Sequence, residues 1–419
     1  MNRSTEYRLA ALAAVLAGVL AAAPHQARAQ QKELVIGQQC DRTGPTENVG
    51  VFMCPGIHDY VDLVNSKGGV EGYKIKLIDI DNQYKVPAGV EAYQREKQAG
   101  AVTMGVYGTP IVEALAQQCT SDKMSCTTPG FGIGASADGQ RYPYIFPLAA
   151  SYWSQAAGAV QYAKDQLGGS LKGKKIAYLM YDNPAGREPL PVLKDLATTE
   201  GYELRVFAVP PPGLDVTSQA LDIAQRFRAD FVIAHVFGRS PAVAIKALKG
   251  NGYPLRKVVG LVWASAEADI EAAGGFGVAE GYNTMQFAGV GSDYPVNKEI
   301  IAMYAKEGKP PSKEMKSTVY YNRGIAWGAL EVEAIRNAIK AKNGGVPSTD
   351  DVKRGFEQIH DFTLGGLLPP LKVTPQDHEG GGFVQIWQVK GGKLVRQTDW
   401  FHAFPDAVKK QVMASANKS

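Results

Sequence analysis

Beyond residue 23 the sequence contains no second run of about 20 apolar residues, so nothing after the N-terminus reads as a membrane span. Charge of one sign is also scarce. The 45 Lys and Arg against 41 Asp and Glu leave a formal net charge of +4, too little for a nucleic-acid footprint. Catalytic signatures are missing: there is no Gly-x-Ser-x-Gly elbow, no His-Glu-x-x-His pair and no convincing triad. Gly168 to Lys175 has a superficial likeness to a phosphate loop, but it lacks the final Ser/Thr and precedes a strand pattern instead of following one. Gly132-x-Gly134-x-x-Ala137 approaches a dinucleotide fingerprint, against which Pro129 and an export signal both argue. His58, His235, His360, His378 and His402 are scattered, without the close Cys/His pairs of a zinc site. An enzyme, a metal and a cofactor are therefore not expected.

What is present begins at the N-terminus. Arg3 and Arg8 precede an apolar stretch from Leu9 to Ala23, and Ala27-Arg28-Ala29 has the small-x-small pattern of a cleavage site. Residues 1–29 read as a signal peptide, with export to the periplasm and a mature chain from Gln30. Gly37-Gln38-Gln39 before Cys40 is not the small-apolar run of a lipidated cysteine. Four cysteines in an exported chain read as two disulfides, and sequence permits three pairings. Cys40 with Cys54 and Cys119 with Cys126 is preferred, because each pair brackets one short turn. Closing a loop of roughly 15 residues is worth about 3 kcal/mol in the chain-entropy model.

Short β-rich runs alternate with amphipathic helical stretches, which signals βαβ units and a parallel sheet. The first series predicts strands at Leu34 to Gly37, Ile75 to Ile80, Val102 to Tyr107 and Met124 to Thr128. Its helices carry Ile57, Tyr60, Val61 and Val64 on one face, then span Val86 to Gln98 and Pro110 to Gln118. A second series predicts strands Lys175 to Tyr181, Glu203 to Val209, Phe231 to Phe237 and Val258 to Ala264. Helices Ser154 to Leu167, Glu188 to Glu200, Val216 to Phe227 and Pro241 to Gly250 alternate with them. After Tyr282 come helices Lys298 to Lys306, Thr318 to Lys342 and Thr349 to His360, then hairpin strands Phe383 to Val389 and Lys393 to Gln397.

Several segments together resemble the branched-chain amino-acid binding proteins, type I periplasmic binding proteins of the leucine-binding kind. These are "LVIGQQCDRTGP", "DYVDLVNSKGGVEGYKIKLIDIDNQ", "GVYGTP", "TTPG" and "KKIAYLMYDN", of which "NSKGGVEGYKIKL" is the most specific. The resemblance implies an α/β fold of two doubly wound, Rossmann-like lobes joined by a three-crossing hinge. Lobe 1 would comprise 30–147 plus 286–364 and lobe 2 would comprise 148–285 plus 365–419. Crossings would fall near Phe146 to Ala150, Thr284 to Ala288 and Phe362 to Leu367. The implied function is a periplasmic solute-binding protein of an ABC transporter, a monomer whose partners are a small solute and the inner-membrane permease. Branched-chain amino-acid binding itself, or a soluble sensor serving a signalling receptor, are the alternatives.

In the family, a hydroxyl after the third strand meets the ligand carboxylate at a helix start, and here Tyr107-Gly108-Thr109-Pro110 stands there. Thr109 reads as N-cap with Pro110 at N1. The next contact position reads Gly130-Phe131-Gly132 and lacks the usual hydroxyl. Where the family places an acid for the ligand's ammonium, this chain has Val262 and Trp263, with Glu267 the nearest carboxylate. The tyrosine that follows "YD" in the family is replaced by a stretch beginning at Asn183. Aromatic residues gather at the strand ends instead: Tyr107, Phe131, Tyr152, Trp153, Tyr181, Phe237 and Trp263, with His235 on the strand that leads to Phe237. The expected solute is a small carboxylate with an apolar or aromatic body and no essential ammonium group.

Overall fold

A computed structural model describes residues 32–415; the segment read as a signal peptide lies outside them. Five parallel strands form the first sheet in the order β2-β1-β3-β4-β5: β1 (Glu33–Cys40), β2 (Lys74–Asp81), β3 (Ala101–Gly105), β4 (Cys126–Thr127) and β5 (Ile145–Phe146). The second sheet runs β12-β11-β10-β9-β8-β6-β7. Its parallel part is β6 (Lys175–Tyr181), β7 (Glu203–Val209), β8 (Phe231–His235), β9 (Val258–Gly260) and β10 (Asn283–Gln286). The hairpin β11 (Gln385–Lys390) and β12 (Lys393–Arg396) adds to its edge antiparallel. These are the two parallel-sheet lobes that the resemblance implied.

Between β10 and β11 the chain leaves the second sheet. Helices Pro295–Lys306 and Thr318–Ala341 pack against helix Glu47–Ser66 beside the first sheet, and Thr349–Phe356 packs on Thr318–Ala341. Backbone segments near the expected crossings pair in twos: Ala149 N–H donates to Glu379 O at 2.8 Å, and Gly289 N–H to Leu367 O at 2.8 Å. The helix Thr318–Ala341 is buried nearly all round because it lies under both the sheet and a neighbouring helix. Its Trp327 donates to Thr127 Oγ1 at 2.7 Å, and that hydroxyl donates to Glu331 Oε1 at 2.7 Å. Both cysteine pairs are bonded, Cys40 to Cys54 and Cys119 to Cys126, with Cα atoms 6.4 and 6.3 Å apart.

Local periodicity located β6, β7 and helix Val86–Gln98 at their observed bounds. The larger departures lie at strand ends that face the cleft. The run expected as one strand to Ala264 stops at Gly260, because Ala264 N–H donates to Leu261 O at 2.8 Å in a tight turn that folds back over Gly260. A Cβ at residue 260 would lie 2.3 Å from Ala264 O, so the turn requires glycine there. β8 likewise stops at His235, short of Phe237. The stretch Val216 to Phe227 is helical only over Thr217–Leu221 and then widens into a π-helical turn, Asp222–Phe227. Thr349–Phe356 stops four residues short of His360.

Candidate functional site

The carboxyl ends of both sets of parallel strands face one another, the place where open α/β sheets leave room for a ligand. A small cavity lies there, open to solvent on one side. From the first lobe it is lined by Thr46 and Val49 after β1, Tyr84 after β2, Tyr107, Gly108 and Thr109 after β3, and Phe131 after β4. Tyr152 opens the helix Tyr152–Gln166, Phe237 follows β8, and Trp263 sits in the turn after β9. Six of the ten are aromatic and none is charged.

The rings form a connected wall. Phe131 meets Tyr107 at 5.9 Å and Trp263 at 5.6 Å between centroids, and Trp263 stacks on Tyr320 at 6.2 Å. Trp263 Nε1 donates to Gly130 O at 3.0 Å, which anchors this wall across the seam. Behind Trp263 lies Arg323, wholly buried, whose guanidinium donates to Val262 O and, at 2.6 Å, to Gln286 Oε1. Polar atoms at the cavity are mostly hydroxyls. Asp41 accepts from Thr46 N and Oγ1 at 2.8 and 2.6 Å, and Tyr107 donates to the same Thr46 hydroxyl at 3.1 Å. Thr109 Oγ1 accepts from Gly132 N–H at 3.3 Å, and Tyr152 lines the same cavity. Burial pushes the Tyr84, Tyr107 and Tyr152 hydroxyls above their ordinary range, so they remain neutral donors.

Of the residues singled out from sequence, Tyr107, Thr109, Phe131, Tyr152, Phe237 and Trp263 meet at the cavity. Tyr181 and Asn183 line an adjoining pocket at its mouth. Gly130 and Gly132 contribute backbone: the Gly130 carbonyl is taken by Trp263 and by Gln155 at 2.8 Å. Three others do not line the cavity. Trp153 Nε1 donates to Glu188 O at 2.8 Å. His235 lies beneath Tyr152 with centroids 4.5 Å apart and its Nε2 is 3.0 Å from Ala185 O; burial lowers its pKa to about 4. Glu267 accepts from Val319 N–H at 3.0 Å and from the Thr318 hydroxyl, satisfying the open end of helix Thr318–Ala341. That partner lies 50 residues downstream, so nothing local in the sequence pointed to it. Thr46, Val49, Tyr84 and Gly108 were missed as site residues. All four follow parallel strands, the places where an open α/β sheet gathers its ligand contacts.

The seam between lobes also holds Glu188, which accepts from Gly134 N–H at 3.0 Å. Burial raises its pKa to about 7; the Gly134 bond pulls it back and the Glu113 charge adds to the rise. A carboxyl raised in this way contributes stability that is present at low pH and lost as pH climbs through about 7. Burial moves Asp269 and Glu379 to about 7 as well. His235, lowered by burial, works oppositely but below its ordinary value near 6.5, which sets the lower end of the useful window. The melting temperature is therefore expected to fall by about 2 °C or more from pH 6.5 to pH 8.5. Glu188→Gln should shrink that fall in differential scanning calorimetry, and a Tm that rises over the interval contradicts the assignment.

The chain belongs to the periplasmic binding protein family, whose model matches residues 33–393. The family read from the sequence is thus the one found, and its members are solute-binding proteins rather than enzymes. Similar solved structures include a protein of the Pseudomonas fluorescens group described as an ABC transporter permease. It is 31% identical, with TM-score 0.82, and the match covers 93% of this chain and 97% of that one. A branched-chain amino-acid ABC transporter protein from Thermus thermophilus with bound valine is 22% identical, TM-score 0.77, over 91% of this chain and 99% of that one. A fatty-acid ABC transporter substrate-binding protein from Thermomonospora curvata is 21% identical, TM-score 0.75, over 90% and 94%. No curated protein sequence gives a significant match.

Proposed function

We propose that this protein is the periplasmic solute-capture component of an ABC transporter, and that it closes its lobes on a small carboxylate with an apolar or aromatic body. Residues 30–147 with 286–364, and 148–285 with 365–419, are the lobes that move, and the closed monomer presents the solute to a permease. One observation carries the reading: the cavity between the strand ends is walled by six aromatic rings and no charged side chain. An ammonium held there would lack a counter-charge, at a cost of several kcal/mol. A carboxylate would be received by the Thr109 and Tyr152 hydroxyls at the start of helix Thr109–Ser121, whose dipole favours an anion. The chain's relatives carry either amino acids or fatty acids by their descriptions, and the uncharged wall favours a solute without the amino group.

Calorimetric titration of leucine, 4-methylpentanoate and benzoate separates the two chemistries. One of the acids is expected to bind at least tenfold tighter than leucine, and its saturation should shrink the radius of gyration in solution scattering. Leucine tighter than every non-amino acid by that factor, about 1.4 kcal/mol, rejects the proposed solute class.

A further inference from the structure

Tyr84 lines both the inner cavity and the pocket at its mouth, and so does Phe237 from the opposite lobe. Their rings face each other at 6.3 Å, and Tyr181 backs Phe237 at 4.6 Å. Asn183 and Tyr181, also of the opposite lobe, line the outer pocket beside Tyr84. Tyr84 and Phe237 thus stand as a partition between an inner chamber and an outer vestibule.

The backbone that presents Tyr84 is built for that position. Gln83 and Tyr84 both have φ of 56°, the left-handed region, where a pair of non-glycine residues is uncommon and a large ring more so. Two side chains hold the turn: Asp81 Oδ1 accepts from Gln83 N–H at 3.0 Å, and Asn82 Oδ1 from Tyr84 N–H at 2.9 Å. Asn82 is itself tied to Tyr107 O at 2.8 Å, which couples the turn to the cavity wall. Gly108 leaves the space that the ring uses, since a Cβ there would lie 3.0 Å from Tyr84 Cε2. Strain maintained by this many contacts at a cleft mouth points to a functional placement rather than a packing accident.

We infer that Tyr84 is a size-selecting gate, which closes against Phe237 behind a solute in the inner chamber and rejects solutes long enough to pass between the two rings. The inference rests on the closed-cleft reading above and concerns which member of that solute class is held. On this inference a solute of one ring is held behind the gate, whereas a linear two-ring solute would have to push Tyr84 away from Phe237.

Two measurements test it. In calorimetry with benzoate and biphenyl-4-carboxylate as probes, Tyr84→Ala should improve the longer acid relative to the shorter by at least tenfold, whereas Tyr84→Phe, which keeps the ring, should leave the ratio within threefold of wild type. Without any solute, protein labelled with 5-fluorotryptophan reports chamber access directly. Dissolved oxygen should broaden the Trp263 resonance, assigned through Trp263→Phe, at least threefold more in Tyr84→Ala than in wild type, with the core Trp327 unchanged. Should Tyr84→Ala fail to fold, Phe237→Ala opens the same partition from the other lobe and is measured in its place. A change in either arm upholds the gate, and no change in both overturns it. If neither acid binds any of the proteins, the proposed solute class fails while the fluorine arm still decides the gate.

Discussion

Replacing Arg323 by alanine is expected to lower the unfolding free energy by about 3–5 kcal/mol. The guanidinium is fully buried and joins three pieces of chain: the Val262 carbonyl before the Trp263 turn, the Met285 carbonyl and the Gln286 side chain at the end of β10. It also lies 5.0 Å from the Trp263 ring centre and 5.1 Å from that of Phe287, so truncation removes packing beneath the cavity wall along with the donors. Each orphaned buried acceptor costs about 1–3 kcal/mol, which dominates the expected loss. Lysine should recover little, because a single ammonium cannot reach Val262 O and Gln286 Oε1 in the fixed geometry of a guanidinium. Urea unfolding checks both variants. A loss below about 1 kcal/mol for Arg323→Ala would mean that water replaces the guanidinium without penalty, and the role assigned to it would be wrong.

Gly324→Ala is expected to be comparably damaging, at about 3 kcal/mol or more, for a steric reason. Helices Glu47–Ser66 and Thr318–Ala341 cross with their glycines at the contact. A Cβ on Gly324 would fall 1.9 Å from Met53 O, and one on Gly56 would fall 2.2 Å from Tyr321 O. Both obstacles are backbone, so no side chain can swing aside and the helices must separate. Separation would open the layer that holds Ile57, Tyr321, Ile325 and Trp327, all buried. Gly277→Ala is the control: nothing lies within 4 Å of its Cβ position, and a change within about 0.5 kcal/mol is expected. Urea midpoints for Gly324→Ala and Gly277→Ala that coincide would show that the crossing can relax.

How well each feature could be read follows from the range over which its cause acts. The strand Lys175–Tyr181 is a short apolar run buried along its length, Glu203–Val209 is a short β-rich run, both bounded by turn residues, and the helix Val86–Gln98 is a 3.6-residue pattern with Pro at its start; neighbours in sequence suffice for all three. The cysteine pairs are also local, since 14 and 7 residues separate the partners. The family resemblance, not a local pattern, pointed to Thr109; Gly108 rather than Thr109 stands as N-cap of its helix, whose first residue is Thr109. Strand ends at the cleft were not legible: the strand ending at Gly260 gives way to a tight turn that closes on it, and the one ending at His235 stops where that ring is buried beneath Tyr152, contacts that periodicity does not record.

By itself the sequence determined the alternation of strands and helices, the two series of them, the family and the absence of an acid near Val262 and Trp263, and it favoured one of three disulfide pairings. Tertiary structure alone decided what those features do together. It sent Glu267 to the end of a helix 50 residues away, buried Arg323 behind Trp263, and turned Tyr84 against Phe237, more than 150 positions further along the chain. Periodicity records which face of an element is apolar, but it carries no record of which distant element covers that face. The cavity is made where the loops of two separately wound sheets converge, and that convergence is set by the path of the chain between the lobes.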